Sequence, residues 1–359
     1  MRIYVFYFTV IAVLWCMHAT IGLWLYRSFG KIDCRTAVAH LPTALTVLCL
    51  AGMIYSRKYY QGFGQIIYYI SYSWLGLVFL AFCFCIVCAI VRLGLRLLHL
   101  PYRWTGIFSI IGFAVIFAMA FWGGFSSPKV KRIPVQIDGM PKMKIALLSD
   151  SHLGAGVSLA RFDRALTRLE AEKPDVLFVL GDIFEFGANR SSYAERIKQV
   201  NTPFGIYGVL GNHEYYVGYE KSKDFYREAG ITLLEDTSAV LQNGVQVAGV
   251  RDVKTARVLQ IEVEELIGGL KQENPIVFLS HMPLYAEEAA GAGADLMFSG
   301  HTHNGQLFPF NYLVRSQFPR VYGLFDVNGM KLYITSGLFY WGMPLRFLAS
   351  SEIPIIEVN

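Results

Sequence analysis

KIALLSDSH (residues 144–152) and DLMFSGHTH (residues 295–303) decide the fold, because each joins a short apolar run to closely spaced polar side chains. Three runs between them have the same form: DVLFVLGD (175–182), GIYGVLGNHE (205–214) and PIVFLSH (275–281). Apolar runs of this length, followed by glycine and polar residues, are typical of buried strands. The segments 159–171 and 259–270 lie between such runs and have apolar residues at helical spacing. This alternation predicts a layered α/β domain with a mixed sheet.

Two Asn-Gly pairs predict β-hairpins in the same part of the chain. Asn243-Gly244 separates the strand-like segments 239–242 and 245–250, and Asn328-Gly329 separates 324–327 from 331–334. Asn-Gly is the strongest short signal for a tight hairpin turn, because both residues tolerate a positive φ.

Polar side chains with metal-binding chemistry stand at the end of each strand-like run. They are Asp150, His152, Asp182, Asn212, His213, His281, His301 and His303. In layered α/β folds, functional groups gather at the carboxyl ends of strands, so we expect these side chains to converge. Residues two apart in extended chain point the same way, so Asp150 with His152, and His301 with His303, can each serve one site.

The predicted cluster has the composition of a two-metal hydrolytic centre. Imidazole, carboxylate and amide ligands without thiolates suit Mn, Fe or Zn and do not choose among them. Two such cations activate water and neutralise the charge of a phosphoryl group. Gly181, Gly211 and Gly300 each precede a predicted ligand, which predicts a close approach of the backbone. Glu185 and Glu214 are either partners that orient the histidines or ordinary solvated carboxylates.

The first part of the chain is a predicted membrane region. The 359 residues are 54% hydrophobic and 16% charged, against a typical charged share of about 25%, and most of the excess apolar sequence precedes residue 126. Four stretches are long enough to cross a bilayer, which takes about 20 residues each: 3–26, 37–55, 66–91 and 105–125. The basic residues on the two sides balance, so the sequence does not predict the orientation.

These observations divide the chain into three parts. We expect a transmembrane region at 1–126, a basic juxtamembrane linker at 127–142 and a catalytic domain at 143–359. The linker either contacts anionic lipid headgroups or is simply solvated. The net charge of +5 is too small to suggest a nucleic-acid-binding protein, so we expect no nucleic-acid partner.

The ordered blocks D-x-H, G-D, G-N-H-E, S-H and G-H-T-H resemble the calcineurin-like metallophosphoesterase family, over roughly residues 143–359. The stretches GHTHNGQLFPFN (300–311) and SGLFYWGMPLRF (336–347) resemble a membrane-attached branch of it. That branch includes transmembrane proteins with a metallophosphoesterase domain and phosphoesterases that hydrolyse UDP-2,3-diacylglucosamine. Leu338 and Phe339 depart from the small residues expected after Ser336-Gly337. The resemblance implies a four-layer α/β sandwich preceded by four transmembrane helices.

The resemblance also implies a role for each ligand. Asp150, His152 and His303 would bind one divalent ion, Asn212, His281 and His301 the other, and Asp182 would bridge the two. His213 would not bind metal. It would stand over the phosphate as the catalytic residue that stabilises or protonates the leaving oxygen.

We therefore expect a membrane-embedded, metal-dependent phosphoric ester hydrolase. Its expected substrate is a phosphodiester or pyrophosphate on a lipid, such as a UDP-glycolipid. The alternatives are a broad phosphodiesterase for soluble substrates and a non-catalytic metal-binding scaffold. Arg346 is a candidate phosphate contact. The aromatic residues around it, with Phe308, Phe310 and Tyr312, form either an apolar lip facing the membrane or plain core. We expect a multi-pass protein of the bacterial inner membrane.

Overall fold

A computed structural model describes residues 2–30, 33–185 and 190–359. The chain divides into two units. We call the first the helical unit; it holds Met1–Gly123, Leu307–Pro309 and Gly342–Phe347. The second, the α/β unit, holds Gly124–Gln306, Phe310–Trp341 and Leu348–Asn359.

The helical unit contains four helices that are long and apolar enough to cross a membrane, as predicted. They are α1 (Arg2–Phe29), α2 (Leu41–Lys58), α3 (Phe63–Leu97) and α4 (Thr105–Phe125). A π-helical turn, Thr36–His40, leads directly into α2. The third helix has 35 residues, whereas about 20 cross the hydrocarbon core, so α3 is longer than the predicted span.

Two short segments from late in the sequence complete the core of the helical unit. Leu307 and Leu345 pack in one cluster with Leu80 of α3 and Ala120 of α4. The Tyr68 hydroxyl donates a 2.7 Å hydrogen bond to the Gly342 carbonyl. The sequence did not predict this, because the apolar residues of 307–309 and 342–347 are separated from the helices by about 200 positions.

The α/β unit is built on two six-stranded sheets. Their orders are β1-β12-β2-β3-β4-β5 and β10-β11-β9-β8-β7-β6. The strands are β1 (Lys129–Val135), β2 (Met143–Leu148), β3 (Val176–Val179), β4 (Ile206–Gly208), β5 (Thr232–Leu233), β6 (Thr237–Val240), β7 (Gln246–Gly249), β8 (Ile276–Leu279), β9 (Leu296–Ser299), β10 (Gly323–Val327), β11 (Met330–Ile334) and β12 (Glu352–Val358). Strands β2 to β5 run parallel, as do β7 to β9, while β12 is antiparallel to β2. The sheets are therefore mixed, as predicted.

Seven helices accompany the sheets in the described part of the chain. They are α5 (Leu159–Glu170), α6 (Arg190–Lys198), α7 (Asn212–Val217), α8 (Tyr219–Glu228), α9 (Gln260–Gly268), α10 (Ala286–Gly291) and α11 (Phe310–Arg315). One core joins α5, α6 and α8 to the first sheet, a second lies between the sheets, and a third joins the second sheet to α9 and α10. Phe178 and Phe298 meet in the middle core with ring centroids 5.9 Å apart. The order helix, sheet, sheet, helix is the predicted four-layer sandwich.

Local signals in the sequence account for several of these elements. The Ser158 side chain accepts a hydrogen bond from the Arg161 N–H and so caps α5. Both predicted hairpins are present, β6–β7 and β10–β11. At the second turn Asn328 and Gly329 have φ of 52° and 91°, the conformation for which Asn-Gly is favoured.

The predicted linker at 127–142 contains a strand. Residues Lys129–Val135 form β1, which pairs in parallel with β12 along its full length. A strand of the first sheet therefore lies within the predicted linker, and the boundaries of the three parts stay a prediction. The partner strand lies more than 200 residues later, so no local pattern could reveal the pairing, and the alternating burial of β1 was obscured by its basic residues.

Candidate metal centre

The predicted ligands stand at the carboxyl ends of parallel strands in both sheets. Asp150, Asp182 and Asn212 follow β2, β3 and β4 of the first sheet. His281 and His301 follow β8 and β9 of the second. The shared edge of the two sheets is the position where layered α/β folds collect functional groups.

The loops that carry the ligands have unusual backbone conformations. Asp150, His152, Asp182, His301 and His303 all have positive φ, between 42° and 70°. A non-glycine residue in this region costs about 1–3 kcal/mol, and such residues cluster at functional sites. The surrounding strands must therefore hold the loops in place.

The predicted close approach at the glycines is confirmed. A Cβ on Gly211 would lie 2.2 Å from Asp182 Oδ1 and 2.8 Å from His281 Cε1. One on Gly300 would lie 2.4 Å from Asp150 Oδ2. Gly181 has a φ of +90°, and its Cβ would lie 2.3 Å from the Gly211 nitrogen. A side chain at these positions would displace the ligands themselves.

Asp150, His152 and His303 form one group of buried donors whose ligand atoms lie within 4.8 Å of one another. His152 Nε2 lies 3.0 Å from His303 Nε2, which lies 3.4 Å from Asp150 Oδ1. The other ring nitrogen of His152 donates to Glu185 Oε1 at 2.8 Å. Its Nε2 is therefore the ring nitrogen turned toward His303 and Asp182.

Asp182, His281 and His301 form a second such group. His281 Nε2 lies 3.2 Å from Asp182 Oδ2 and 3.2 Å from His301 Nδ1. His281 Nδ1 donates to the Leu180 carbonyl at 2.7 Å, so its Nε2 is the ring nitrogen that faces Asp182 and His301. Asp182 Oδ2 lies 3.9 Å from His152 Nε2 as well, so this carboxylate stands between the two groups.

The charges of the centre favour a cation. Burial lowers the pKa of His281, but the Asp182 carboxylate more than reverses this and raises it to about 10. Burial alone would raise the pKa of Asp182, yet the neighbouring histidines, His281 foremost, hold it well below its usual range. Added positive charge at this position is therefore stabilised.

The residues present fit a pair of divalent cations. Histidine ring nitrogens and carboxylate oxygens converge in both groups, and both kinds of atom are common metal ligands. The Asn212 Oδ1 atom is buried and has no hydrogen-bond partner among the described residues. Such an atom is costly unless something binds it, and an amide oxygen is a suitable metal ligand.

His213 stands beside both groups. Its Nδ1 donates to Glu185 Oε1 at 2.7 Å, and its Nε2 lies 4.0 Å from Asp182 Oδ2. Burial lowers its pKa, but Asp182 and Glu185 outweigh this and raise it to about 9. His213, His152 and Glu185 also lie close enough together to hold an ion. The role of His213 as an acid rather than a ligand stays a prediction.

Neither glutamate that follows the motifs is an ordinary solvated carboxylate. Glu185 accepts hydrogen bonds from both His152 and His213, and despite its burial these histidines lower its pKa to about 2. Glu214 is fully buried and accepts hydrogen bonds from the backbone N–H groups of Gly211, Asp182 and Ile183 at 2.7–2.8 Å. Glu185 therefore orients histidines, while Glu214 ties two ligand loops together.

The aromatic residues near the end of the chain separate into core and surface. Phe339 is fully buried in the core of the first sheet, whereas Trp341 is 48% exposed. Arg346 belongs to the helical unit, where it is buried and its N–H donates to the Ala120 carbonyl. Its contact with substrate stays a prediction. Neither Tyr216 nor Gln306 was predicted as a functional residue, because the contacts of both depend on the folded chain.

Comparisons with known proteins agree with this geometry. Residues 143–305 match the family model for calcineurin-like phosphoesterases. An uncharacterized metallophosphoesterase of Helicobacter pylori strain 26695 is 31% identical over 275 residues, which is 75% of this chain and 70% of that protein. Its counterpart in strain J99 is 32% identical over 272 residues, 72% of this chain and 73% of that protein. A Danio rerio transmembrane protein with metallophosphoesterase domain is 30% identical over 273 residues, 70% of this chain and 62% of that protein.

The extent of these matches includes every strand end that carries a predicted ligand. Both Helicobacter pylori relatives are more than 30% identical and are matched over more than two thirds of their own length. This similarity shows common descent. The chain belongs to the calcineurin-like metallophosphoesterase family.

Proposed function

We propose that the chain uses two divalent metal ions to hydrolyse a phosphodiester or pyrophosphate bond in a lipid-linked substrate such as a UDP-glycolipid. Family membership already makes it a metal-dependent phosphoester hydrolase, and its four apolar helices make it a membrane protein. The proposal adds the number of ions and the class of substrate. The observation that supports it is that two groups of metal-binding side chains lie on either side of Asp182.

Seven residues would hold the ions. Asp150, His152 and His303 would bind one, Asn212, His281 and His301 the other, and Asp182 both. When bound, such a pair supplies Lewis acidity, which activates water and neutralises phosphoryl charge. Mn, Fe and Zn all suit this donor set.

His213 would supply the proton for the leaving group. Its Nδ1–H is fixed by Glu185, so Nε2 is the nitrogen turned toward the ligands. The raised pKa favours the protonated ring, which can donate from Nε2 to the departing oxygen. Glu185 holds the ring in this orientation and stabilises its charge.

A lipid substrate is supported by the short helix α11. None of its residues is buried, and Phe310, Tyr312 and Leu313 are 39%, 62% and 58% exposed. Leu307, which shortly precedes α11 in the sequence, packs in the core of the helical unit. Large exposed apolar side chains on one short helix fit an acyl chain or the bilayer surface. We infer that α11 is the apolar lip.

The main experiment compares a lipid with a soluble substrate. Purified full-length protein with Mn²⁺ would be given a UDP-linked glycolipid in mixed micelles and, separately, bis(p-nitrophenyl) phosphate. The His213→Ala variant, purified in parallel, excludes a contaminating phosphatase. We expect hydrolysis of both substrates. Hydrolysis of the soluble diester alone would favour the broad phosphodiesterase, and hydrolysis of neither would favour a metal-binding scaffold.

The lip is tested by removing its apolar side chains. Tyr312→Ser combined with Leu313→Ser should lower kcat/KM for the glycolipid several-fold and leave the soluble diester unaffected. Leu259→Ser is the matched control, because Leu259 is 60% exposed on a different part of the α/β unit. Equal losses on both substrates would contradict the lip.

We further propose the bacterial inner membrane as the location, because two of the relatives above are bacterial. Fractionation of bacterial cells that produce the tagged chain would test this. Recovery of the chain in the outer membrane would contradict it.

A further inference from the structure

Two exposed aromatic rings lie close to His213. The Tyr216 ring centroid is 5.3 Å from that of His213 and the Trp341 centroid is 6.0 Å away, both in edge-to-face arrangements. Tyr216 is 59% exposed and Trp341 48% exposed, while the His213 side chain is only 12% exposed. Packing in a core does not account for rings that are half in solvent. Both half-exposed rings therefore lie beside the side chain that would protonate the leaving group.

The backbone of Trp341 is fixed although its ring is exposed. The Trp341 N–H donates to Gln306 Oε1 at 2.8 Å, and the Gln306 amide donates back to the Trp341 carbonyl at 3.0 Å. Gln306 is buried and directly follows the His303–Gly305 turn, which carries a predicted metal ligand. The backbone that carries the ring is therefore fixed next to the turn of a predicted ligand. A ligand that packs on it would lose little affinity to ordering of the protein.

The backbone that carries Tyr216 is also fixed by a buried side chain. It lies on α7, the helix that begins at Asn212 and carries His213. The buried Glu214 side chain hydrogen-bonds to the backbone at the start of this helix. The two rings thus approach His213 from two separate elements, each tied to a ligand loop.

We propose that Tyr216 and Trp341 form a subsite that stacks the planar ring of a nucleoside phosphate whose phosphate lies at the metal centre. Aromatic side chains bind bases through their π-faces, and one stacked base is worth about 1–3 kcal/mol, or about 5- to 150-fold in affinity. Because every base has such a face, the subsite favours nucleotides as a class over other phosphates. This inference rests on the proposed function and defines the part of the substrate that is not lipid.

The test compares two ligands that differ only in the base. Calorimetric titration of the full-length, Mn²⁺-loaded protein would measure Kd for uridine 5′-monophosphate and for ribose 5-phosphate. Wild-type protein should prefer the nucleotide by about tenfold or more. Trp341→Ala and Tyr216→Ala should each reduce that preference several-fold, chiefly by weakening nucleotide binding, and Trp341→Phe should keep most of it. Thermal unfolding and metal content verify that each variant is folded.

Leu324→Ala is the control, because Leu324 is 42% exposed on β10 and should leave the preference unchanged. The subsite would be overturned if wild-type protein bound both ligands equally, or if the aromatic variants weakened both to the same extent. Neither ligand contains lipid, so failure of the lipid substrate would leave this result unaffected. Conversely, a protein that hydrolyses the glycolipid without any preference for the base would retain its proposed function and lose only the subsite.

Discussion

Buried histidines in the two units make opposite kinds of contact. In the helical unit, the Trp74 indole N–H donates to His18 Nε2 at 3.0 Å, and His18 Nδ1 lies 2.9 Å from the Leu14 carbonyl. Each donor meets an acceptor. In the α/β unit, His152 Nε2 and His303 Nε2 are 3.0 Å apart with carboxylates around them, and the oxygen of Asn212 has no partner among the described residues.

The difference separates a structural cluster from a binding site. A buried polar group that is hydrogen-bonded contributes to stability, whereas one that is unpaired incurs its full desolvation cost. The network of His18 is complete without any ligand. The α/β centre becomes complete only with added positive charge. Substitutions should therefore affect metal content and turnover in one cluster and only stability in the other.

Asp182 should give the largest effect, because it stands between the two donor groups. Asp182→Ala should abolish turnover and lower the metal content below two ions per chain, since both ions would lose a ligand. Elemental analysis and assay with bis(p-nitrophenyl) phosphate measure this. Asp163→Asn is the control, because Asp163 is an exposed carboxylate of α5 paired with Arg196, and it should change neither quantity. Two ions retained in Asp182→Ala would contradict the bridging role.

His213→Ala should lower turnover by about 10²–10⁴-fold while both ions remain, because general acids contribute about that much. This variant distinguishes an acid from a metal ligand, because His213 lies close enough to His152 and Glu185 to hold an ion with them. Loss of one ion would assign His213 to the metal. Unchanged turnover at equal metal content would remove it from the chemistry.

Glu185→Gln should lower turnover about 10–100-fold, the range typical of residues that orient metal ligands. The carboxylate holds Nδ1 of both His152 and His213, so its effect should not add fully to that of His213→Ala. A double-mutant cycle measures the coupling. Glu214→Gln is the matched comparison. It removes an acceptor from buried backbone N–H groups and should mainly lower thermal stability.

Local sequence signals predicted much of both units. Apolar runs predicted the four long helices and the strands that carry the predicted ligands, and the Asn-Gly pairs predicted both hairpins. These signals are local, because burial and turn chemistry depend on neighbouring residues. The convergence of the predicted ligands required only that parallel strands end at one edge, whereas the grouping of Asp150 with His303 was implied by the family resemblance. Pairings across the chain were not predictable in this way. The β1–β12 ladder, the packing of Leu307 and Leu345 in the helical unit, and the Gln306–Trp341 contact each join residues whose local patterns are unremarkable.

The smallest effect is expected in the helical unit. His18→Ala should lower the free energy of unfolding in detergent by about 0.6–1.7 kcal/mol, because hydrogen bonds between membrane helices average about 0.6 kcal/mol and reach about 1.7 kcal/mol. The Trp74 indole N–H would lose its acceptor. The hydroxyl of Thr46 on α2, which lies 3.2 Å from His18 Nδ1, would lose this neighbour on α1. Metal content and turnover should stay at wild-type values.

Trp74→Phe tests the same bond from the other partner, since it keeps an aromatic ring beside His18 and removes only the N–H donor. Similar losses of stability in the two variants, and a double variant that loses less than their sum, would identify one shared hydrogen bond. A measurement in which His18→Ala instead reduced turnover as strongly as Glu185→Gln would contradict the contrast between the units. The His18 cluster would then affect the reaction at the metal centre as well as stability.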